Sequence, residues 1–169
     1  MILIVADAGP INYLVQIGHI DLLPKLAERT VLPASVAAEL LHPSAPEAVR
    51  AWTAAPPAWV EVRAAKRLID APDISAADRE AITLAKELAA SVLLMDDQQA
   101  RRCATRLNVV TMGTLGLLEM AAARNLIALP LALEKLRGTS CFVADEIIES
   151  ALHRDAERRG ALRTRMPDA

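Results

Sequence analysis

Aromatic side chains are almost absent from this sequence. Its 169 residues include two tryptophans, one tyrosine and one phenylalanine, which make 2% of the chain. Modules that bind single-stranded nucleic acid by base stacking need several such rings, so the composition disfavours that class. The hydrophobic fraction is nevertheless 53%, too high for a disordered chain. We therefore expect one compact domain with a core of leucine, valine, isoleucine and alanine.

An excess of positive charge and a long apolar segment are also missing. Lysine and arginine number 19 against 21 acidic residues, for a net charge of -2, so any contact with nucleic acid must be local. The most apolar stretch, residues 107–136, is interrupted by charges and by Pro130, and it supplies no window of about 20 apolar residues for a membrane span. The sequence predicts a soluble, cytoplasmic protein with no membrane partner.

The only two cysteines have no arrangement suited to chemistry. Cys103 and Cys141 form no CxxC motif and have no histidine at ligand spacing. A zinc site or a disulfide framework is therefore not expected, and the two residues are typical of thiols in a reducing compartment.

Short apolar runs alternate with helical patterns along the chain. The runs that predict strands lie at residues 2–6, 30–32, 59–62, 91–95 and 108–111. Helical spacing and proline or glycine punctuation predict helices within 11–26 and over 33–41, 46–53, 75–89, 98–106 and 114–124. This alternation predicts an α/β fold with a parallel sheet of four to five strands, covered by helices on both faces.

Acidic residues follow two of the predicted strands. Asp7 ends the first apolar run, and Asp96 and Asp97 end the run at 91–95, so parallel strands would bring all three to one edge. Asp78 lies in the first turn of the helix at 75–89, on its apolar side, and reaches the same edge. Glu39 lies at the margin of the apolar face of its helix and leans toward the same cleft.

Acids crowded at one edge would repel each other and raise each other's pKa unless a cation neutralised them. A ligand set made only of oxygen atoms is typical of hard divalent ions, Mg²⁺ or Mn²⁺, which keep open positions for phosphate oxygens. The pattern therefore favours metal-assisted hydrolysis of a phosphodiester.

Each of these acids also has an ordinary structural explanation. Helix capping accounts for the acids that begin helices, namely Asp7, Asp78 with Ser75, and either Asp96 or Asp97. Glu39 and Glu80 fit a solvated helix face. The shared edge favours a site, because capping does not require that the acids converge.

The order of the motifs resembles the PIN domain, and within it the PIN-like subgroup related to VapC-type toxin ribonucleases. The resemblance covers about residues 2–135 and is carried by Asp7-Ala-Gly-Pro, Glu39, Asp78, Glu80-Ala-Ile-Thr-Leu-Ala, Leu93-Leu94-Met95-Asp96-Asp97 and Gly113-Thr114-Leu115-Gly116-Leu117-Leu118. It implies a three-layer α/β/α PIN-like domain over residues 1–152. Residues 153–169 are dense in charge and lack an apolar period, which predicts a solvated helix end and a charged C-terminal tail.

The resemblance also implies an activity. The expected protein is a Mg²⁺- or Mn²⁺-dependent endoribonuclease, the toxin of a toxin–antitoxin system, with an RNA substrate, a cognate antitoxin and a homodimeric assembly. By position, the catalytic residues would be Asp7, Glu39, Asp78 and Asp97. The candidate metal ligands are these four and Asp96, and which of Asp96 and Asp97 binds the metal stays open. The subgroup usually has Gly-Glu where this chain has Ala77-Asp78, whose carboxylate is one methylene shorter.

Several alternatives stay open from the sequence. The chain could be a non-catalytic PIN-like module that binds a protein partner or RNA. A phosphotransfer domain also places an aspartate after its first strand, but this chain lacks the accompanying acids. The basic residues that follow the acid pair suit either phosphate contact or a solvated face: Arg101, Arg102 and Arg106. The tail arginines suit RNA, an antitoxin or neither: Arg158, Arg159, Arg163 and Arg165.

Overall fold

A five-stranded, entirely parallel sheet forms the centre of the fold. The structure is a computed structural model in which residues 1–164 are described, with side chains to residue 162. The strands are β1 (Leu3–Ala6), β2 (Arg29–Pro33), β3 (Val60–Arg63), β4 (Val92–Leu94) and β5 (Thr111–Met112). They lie in the order β3-β2-β1-β4-β5. The predicted parallel α/β fold is confirmed.

Helices connect the strands and continue beyond them. They are α1 (Ala8–Gln16), α2 (Leu22–Leu26), α3 (Ala34–Leu40), α4 (Glu47–Ala54), α5 (Ala76–Glu87), α6 (Gln98–Arg106), α7 (Thr114–Ala123), α8 (Leu129–Arg137) and α9 (Asp145–Thr164). The chain divides into two compact units, residues 1–114 and the part from Leu115 onward. The first unit holds the whole sheet and α1 to α6.

Both faces of the sheet are buried, which explains the uninterrupted apolar strands. Side chains alternate along a strand, so Leu3 and Val5 lie on one face, where they join a core cluster with α5 and α6. Ile4 and Ala6 point to the opposite face and are also fully buried. Right-handed crossovers place α1 to α4 on that opposite face, so the first unit has three layers.

The strand order reverses beside β1. The chain runs outward from β1 to β2 and β3, then returns to form β4 on the other side of β1. In open parallel sheets, ligands bind beyond the carboxyl ends of the strands at this reversal. The backbone N–H of Asp7 donates to the carbonyl oxygen of Leu94 at 2.9 Å, so β1 and β4 remain paired up to this edge.

Two segments differ from the sequence prediction. A strand was expected at 108–111, but β5 begins only at Thr111, because Asn108 adopts a positive φ of 60° in the turn that closes α6. Residues 153–169 were expected to be a solvated helix end and a charged tail; α9 does continue through residue 153 to Thr164, but Asp155 within it is buried and paired with Arg158 and Arg159. The division at 153 stays a prediction, and Arg165 lies outside the described residues.

The second unit is helical. Within it α8 packs against α9, and Arg154 of α9 pairs with Glu119 of α7 at 2.8 Å. Over residues 1–164, no helix combines the length and the apolarity needed to cross a bilayer.

Candidate active site

Asp7 follows β1 and occupies the N-cap position of α1, but its side chain does not cap the helix. Its backbone is extended, with φ -83° and ψ 170°, and its side chain accepts no capping hydrogen bond. Only 8% of the residue is exposed. Capping therefore does not explain why an aspartate lies here, at the buried edge between β1 and β4.

Burial is the main cause that raises the pKa of Asp7 to about 7, and a hydrogen bond with the backbone of Ala8 opposes it. The charges of Asp78, Glu39 and Asp96 raise this pKa further. All three carboxylates therefore lie close enough to Asp7 to repel its charge. The sequence predicted this convergence of acids from four separate segments.

Asp96 follows β4 and is fixed by Thr114, the first residue of α7. The backbone N–H of Thr114 donates to Asp96 Oδ1 at 2.7 Å, and its hydroxyl donates to Oδ2 at 2.6 Å. Two glycines make room for this carboxylate. A Cβ on Gly113 would stand 2.9 Å from Oδ1, and one on Gly9 would stand 3.4 Å from Oδ2. Each oxygen keeps a lone pair for a further ligand.

Glu39 and Asp78 come from helices on different sides of the first unit. Glu39 lies in the last turn of α3, and partial burial followed by the charge of Asp78 raises its pKa. Asp78 is half-buried in the first turn of α5, where Ser75 Oγ donates to its carboxylate at 2.7 Å and accepts from its backbone N–H at 3.0 Å. Ser75 therefore caps α5 as predicted, but the side chain of Asp78 accepts from the Ser75 hydroxyl and not from the Ser75 backbone N–H, as it would in a full capping box. Asp78 also acts electrostatically on Asp7 and Glu39.

Asp97 is not brought to this cluster. It is exposed at the N-cap of α6, where its Oδ1 accepts from the backbone N–H of Ala100 at 2.7 Å. Its charge is not among those that raise the pKa of Asp7. The structure thus gathers Asp7, Glu39, Asp78 and Asp96. The sequence placed Asp97 among the catalytic residues but left open which of Asp96 and Asp97 is the metal ligand; the hydrogen bond to Ala100 fits the capping explanation for Asp97.

Glu80 was expected on a solvated face, and that prediction is wrong. It is 7% exposed and accepts hydrogen bonds from the hydroxyl of Ser35 and from the backbone N–H groups of Ser35 and Ala65, the latter two at 2.8 and 2.9 Å. Burial alone would raise the pKa of Glu80, but these hydrogen bonds outweigh it and the pKa is lowered. Periodicity missed this residue because the segment before α5 covers that side of the helix.

Glu80 holds the two acid-bearing helices together. Ser35 and Glu39 lie one turn apart on α3, while Asp78 lies in the first turn of α5 and Glu80 follows it at the start of the second. The hydrogen bonds from Ser35 to Glu80 therefore fix α3 against α5 and set the position of Glu39 relative to Asp78. Asp7, Glu39, Asp78 and Asp96 together are called the acidic edge below. Glu80 is a positioning residue for this acidic edge.

The donor set at this edge suits a hard divalent ion. Only carboxylate oxygens converge, and over the described residues none of the four acids forms an ion pair that would neutralise it. Within residues 1–164, no three candidate ligand side chains stand close enough together to enclose an ion. Mg²⁺ does not need such a cage, since it commonly binds through one or two carboxylates, waters and substrate phosphates.

Replacing Gly113 with alanine is expected to displace Asp96 from Thr114. The new methyl group would stand 2.9 Å from Asp96 Oδ1, and the backbone N–H of Thr114 holds that oxygen in place. We expect a loss of about 1 kcal/mol in the free energy of unfolding, from the strained hydrogen bond. Urea denaturation measures it. Gly160→Ala is the comparison: a methyl group there meets nothing within 4 Å, and alanine is favoured over glycine inside a helix, so this change should not lower the stability. Equal effects of the two changes would contradict the tight packing at Gly113.

The fold and the edge define an α/β protein with a group of acidic residues at the reversal of its strand order. Family comparison makes this specific: a profile described as a PIN domain matches residues 3–157. The chain belongs to the PIN-domain family, as the sequence motifs had indicated. PIN domains are generally nucleases and typically use divalent metals.

A solved structure supports the fold. The chain is similar to a PilT N-terminus domain protein from the hyperthermophilic archaeon Sulfolobus solfataricus P2, with a TM-score of 0.51 and 17% sequence identity. The alignment covers 71% of this chain and 93% of that one. At this identity the likeness concerns the fold alone. No curated protein sequence matches the chain.

Proposed function

We propose that this protein is a Mg²⁺- or Mn²⁺-dependent endoribonuclease that hydrolyses phosphodiester bonds at the acidic edge. The observation that carries the proposal is Asp7, a buried carboxylate with no capping role and no ion pair over the described residues, repelled by the charges of three other acids. Such a cluster is costly unless a cation joins it. Family membership supports nuclease chemistry.

The biological role in this proposal follows the resemblance seen in the sequence. The protein would act in the cytoplasm as the toxin of a toxin–antitoxin pair, on an RNA substrate, as a homodimer restrained by an antitoxin. These assignments stay predictions.

The residues divide the chemistry between them. Asp7 and Asp96, which follow neighbouring strands, would hold the ion, and the charge of Asp78 would add to its attraction. A bound divalent ion supplies a water of lowered pKa and offsets charge on the phosphate oxygens. Thr114 holds the Asp96 carboxylate in one orientation. Glu39, exposed and with a raised pKa, is suited to accept the proton of the attacking water.

A matched pair of variants tests which aspartate belongs to the site. In Mn²⁺ with total cellular RNA, Asp96→Asn is expected to lower the cleavage rate about 100-fold, because a ligand charge is lost. Asp97→Asn is expected to keep most of the activity, since asparagine caps a helix about as well as aspartate. Gel analysis of the RNA gives both rates. Loss of cleavage in Asp97→Asn with activity kept in Asp96→Asn would overturn the assignment.

The second candidate is a non-catalytic PIN-like module that binds a protein partner or RNA. The observation that favours it is that no three ligand side chains are close enough to enclose an ion over residues 1–164. Binding of RNA that is unchanged by metal, without cleavage in Mn²⁺, would support this candidate.

A further inference from the structure

One side of α6 carries a polar and basic stripe that the proposed chemistry does not use. Its members recur at spacings of three and four residues, so they lie along one face of the helix. Together with Thr111 of β5, the residues of this stripe line an open groove of about 660 Å³. The stripe consists of Gln98, Arg101, Arg102, Thr105 and Arg106.

The groove begins beside the acidic edge. Arg101 Nη1 is 3.5 Å from the point that a Cβ on Gly113 would occupy, and Asp96 Oδ1 is 2.9 Å from the same point. The guanidinium of Arg101 and the carboxylate of Asp96 therefore flank one glycine. The Nε of Arg101 also donates to Thr111 Oγ1 at 3.4 Å, which orients the side chain along the groove. From there α6 leads away from the edge toward Arg106.

The three arginines of the groove are not neutralised within the described structure. None of them takes part in an ion pair over residues 1–164, and Arg102 and Arg106 are exposed. Three guanidinium groups thus share one groove in a chain whose net charge is -2. Guanidinium groups match phosphate oxygens in charge and in hydrogen-bond geometry.

We propose that this groove binds the phosphate backbone of single-stranded RNA as it leads away from the cleavage site. Arg101 contacts the phosphate nearest the acidic edge, and Arg102 and Arg106 contact the phosphates that follow. The inference rests on the proposed function, because it takes the acidic edge as the place of cleavage. Recognition is by backbone and not by base, which agrees with an aromatic content of 2%.

An RNA occupant is favoured over an acidic protein partner by the position of the groove. Its first guanidinium lies next to the carboxylate proposed to hold the ion, where one phosphate of the substrate must lie during cleavage. An RNA strand bound at that carboxylate continues directly into the groove. An acidic protein partner gains nothing from binding next to a carboxylate, because the two negative charges repel each other.

Binding without metal separates this inference from the proposed function. The affinity for a fluorescein-labelled single-stranded RNA of 12 nucleotides is measured by fluorescence anisotropy in EDTA, from 50 to 200 mM NaCl. Arg102→Gln with Arg106→Gln is expected to weaken binding about tenfold at low salt. It should also reduce the slope of log K against log salt by about 1.4, since each phosphate contact on a single strand contributes about 0.7.

A charge change at the opposite edge of the sheet is the control. Lys25, exposed on α2, lines a pocket with residues that precede β1 and β2, and Lys25→Gln should leave affinity and slope unchanged. The substituted side chains of Lys25, Arg102 and Arg106 are exposed, so we expect every variant to fold. Thermal melts that match the wild type check this. Affinity unchanged in the arginine variant, or reduced equally by Lys25→Gln, would overturn the proposal even if the wild type cleaves RNA in Mn²⁺. A reduced slope without cleavage would retain the groove as an RNA site and reject the nuclease.

Discussion

Asp7→Asn is expected to stabilise the fold above pH 7 while abolishing metal-dependent cleavage. Burial and three neighbouring carboxylates raise the pKa of Asp7 from 3.8 to about 7, so the folded state holds the proton more tightly than the unfolded state. The contribution of this group to stability is therefore complete below about pH 4 and is lost as the pH rises through 7. Above pH 7 the wild type bears a cost on the order of 2–4 kcal/mol that asparagine does not.

Urea denaturation at pH 5, 6, 7 and 8 in EDTA measures this difference. The stability of Asp7→Asn relative to the wild type should rise from pH 5 to about pH 7 and then level off toward pH 8, above the pKa of Asp7 in the folded state. Asp97→Asn is the matched control, because Asp97 is exposed and its removal should give no such trend. If the difference in stability between Asp7→Asn and the wild type stayed constant from pH 5 to pH 8, the raised pKa of the buried Asp7 carboxylate would be contradicted.

Glu80→Ala is expected to lower the free energy of unfolding by about 2–4 kcal/mol. The change removes the acceptor for two backbone N–H groups and a hydroxyl, and each buried donor left unpaired costs about 1–3 kcal/mol. Cleavage should fall as well, because Glu39 loses its fixed position relative to Asp78.

Glu80→Gln and Glu87→Ala are the comparisons for this prediction. Glutamine keeps one acceptor oxygen and should lose less stability than alanine. Glu87 is exposed at the end of the same helix, and its removal should change the free energy of unfolding by less than about 0.5 kcal/mol. If urea denaturation found Glu80→Ala as stable as Glu87→Ala, the claim that Glu80 fixes α3 against α5 would be refuted.

The sheet and its acidic edge could be predicted because the sequence patterns that indicate them are local. Continuous apolar runs that each end in an acid mark β1 and β4, and parallel strands bring such ends together. The helix at 75–89 was also clear from its period and its capping residue, Ser75. These patterns needed no knowledge of distant contacts, and the structure has them within one or two residues.

The choice between Asp96 and Asp97 could not be made from the sequence. The two acids are adjacent, and what separates them is a hydrogen-bond pair from Thr114, 18 residues further on, and the space left by Gly113. Glu80 escaped prediction for a similar reason: its partners, Ser35 and Ala65, are 45 and 15 residues away. Tertiary contacts of this kind leave no periodic signal.

The most direct test of the central claim is a calorimetric titration of Mn²⁺ into the folded wild type at pH 6 and pH 8, with Asp7→Asn as control. We predict one ion per chain and an affinity about tenfold higher at pH 8, because Asp7, with a pKa of about 7, must lose its proton before it can bind. Asp7→Asn should show no binding heat at either pH. No heat from the wild type at pH 8, or equal binding by Asp7→Asn, would contradict the metal-dependent nuclease.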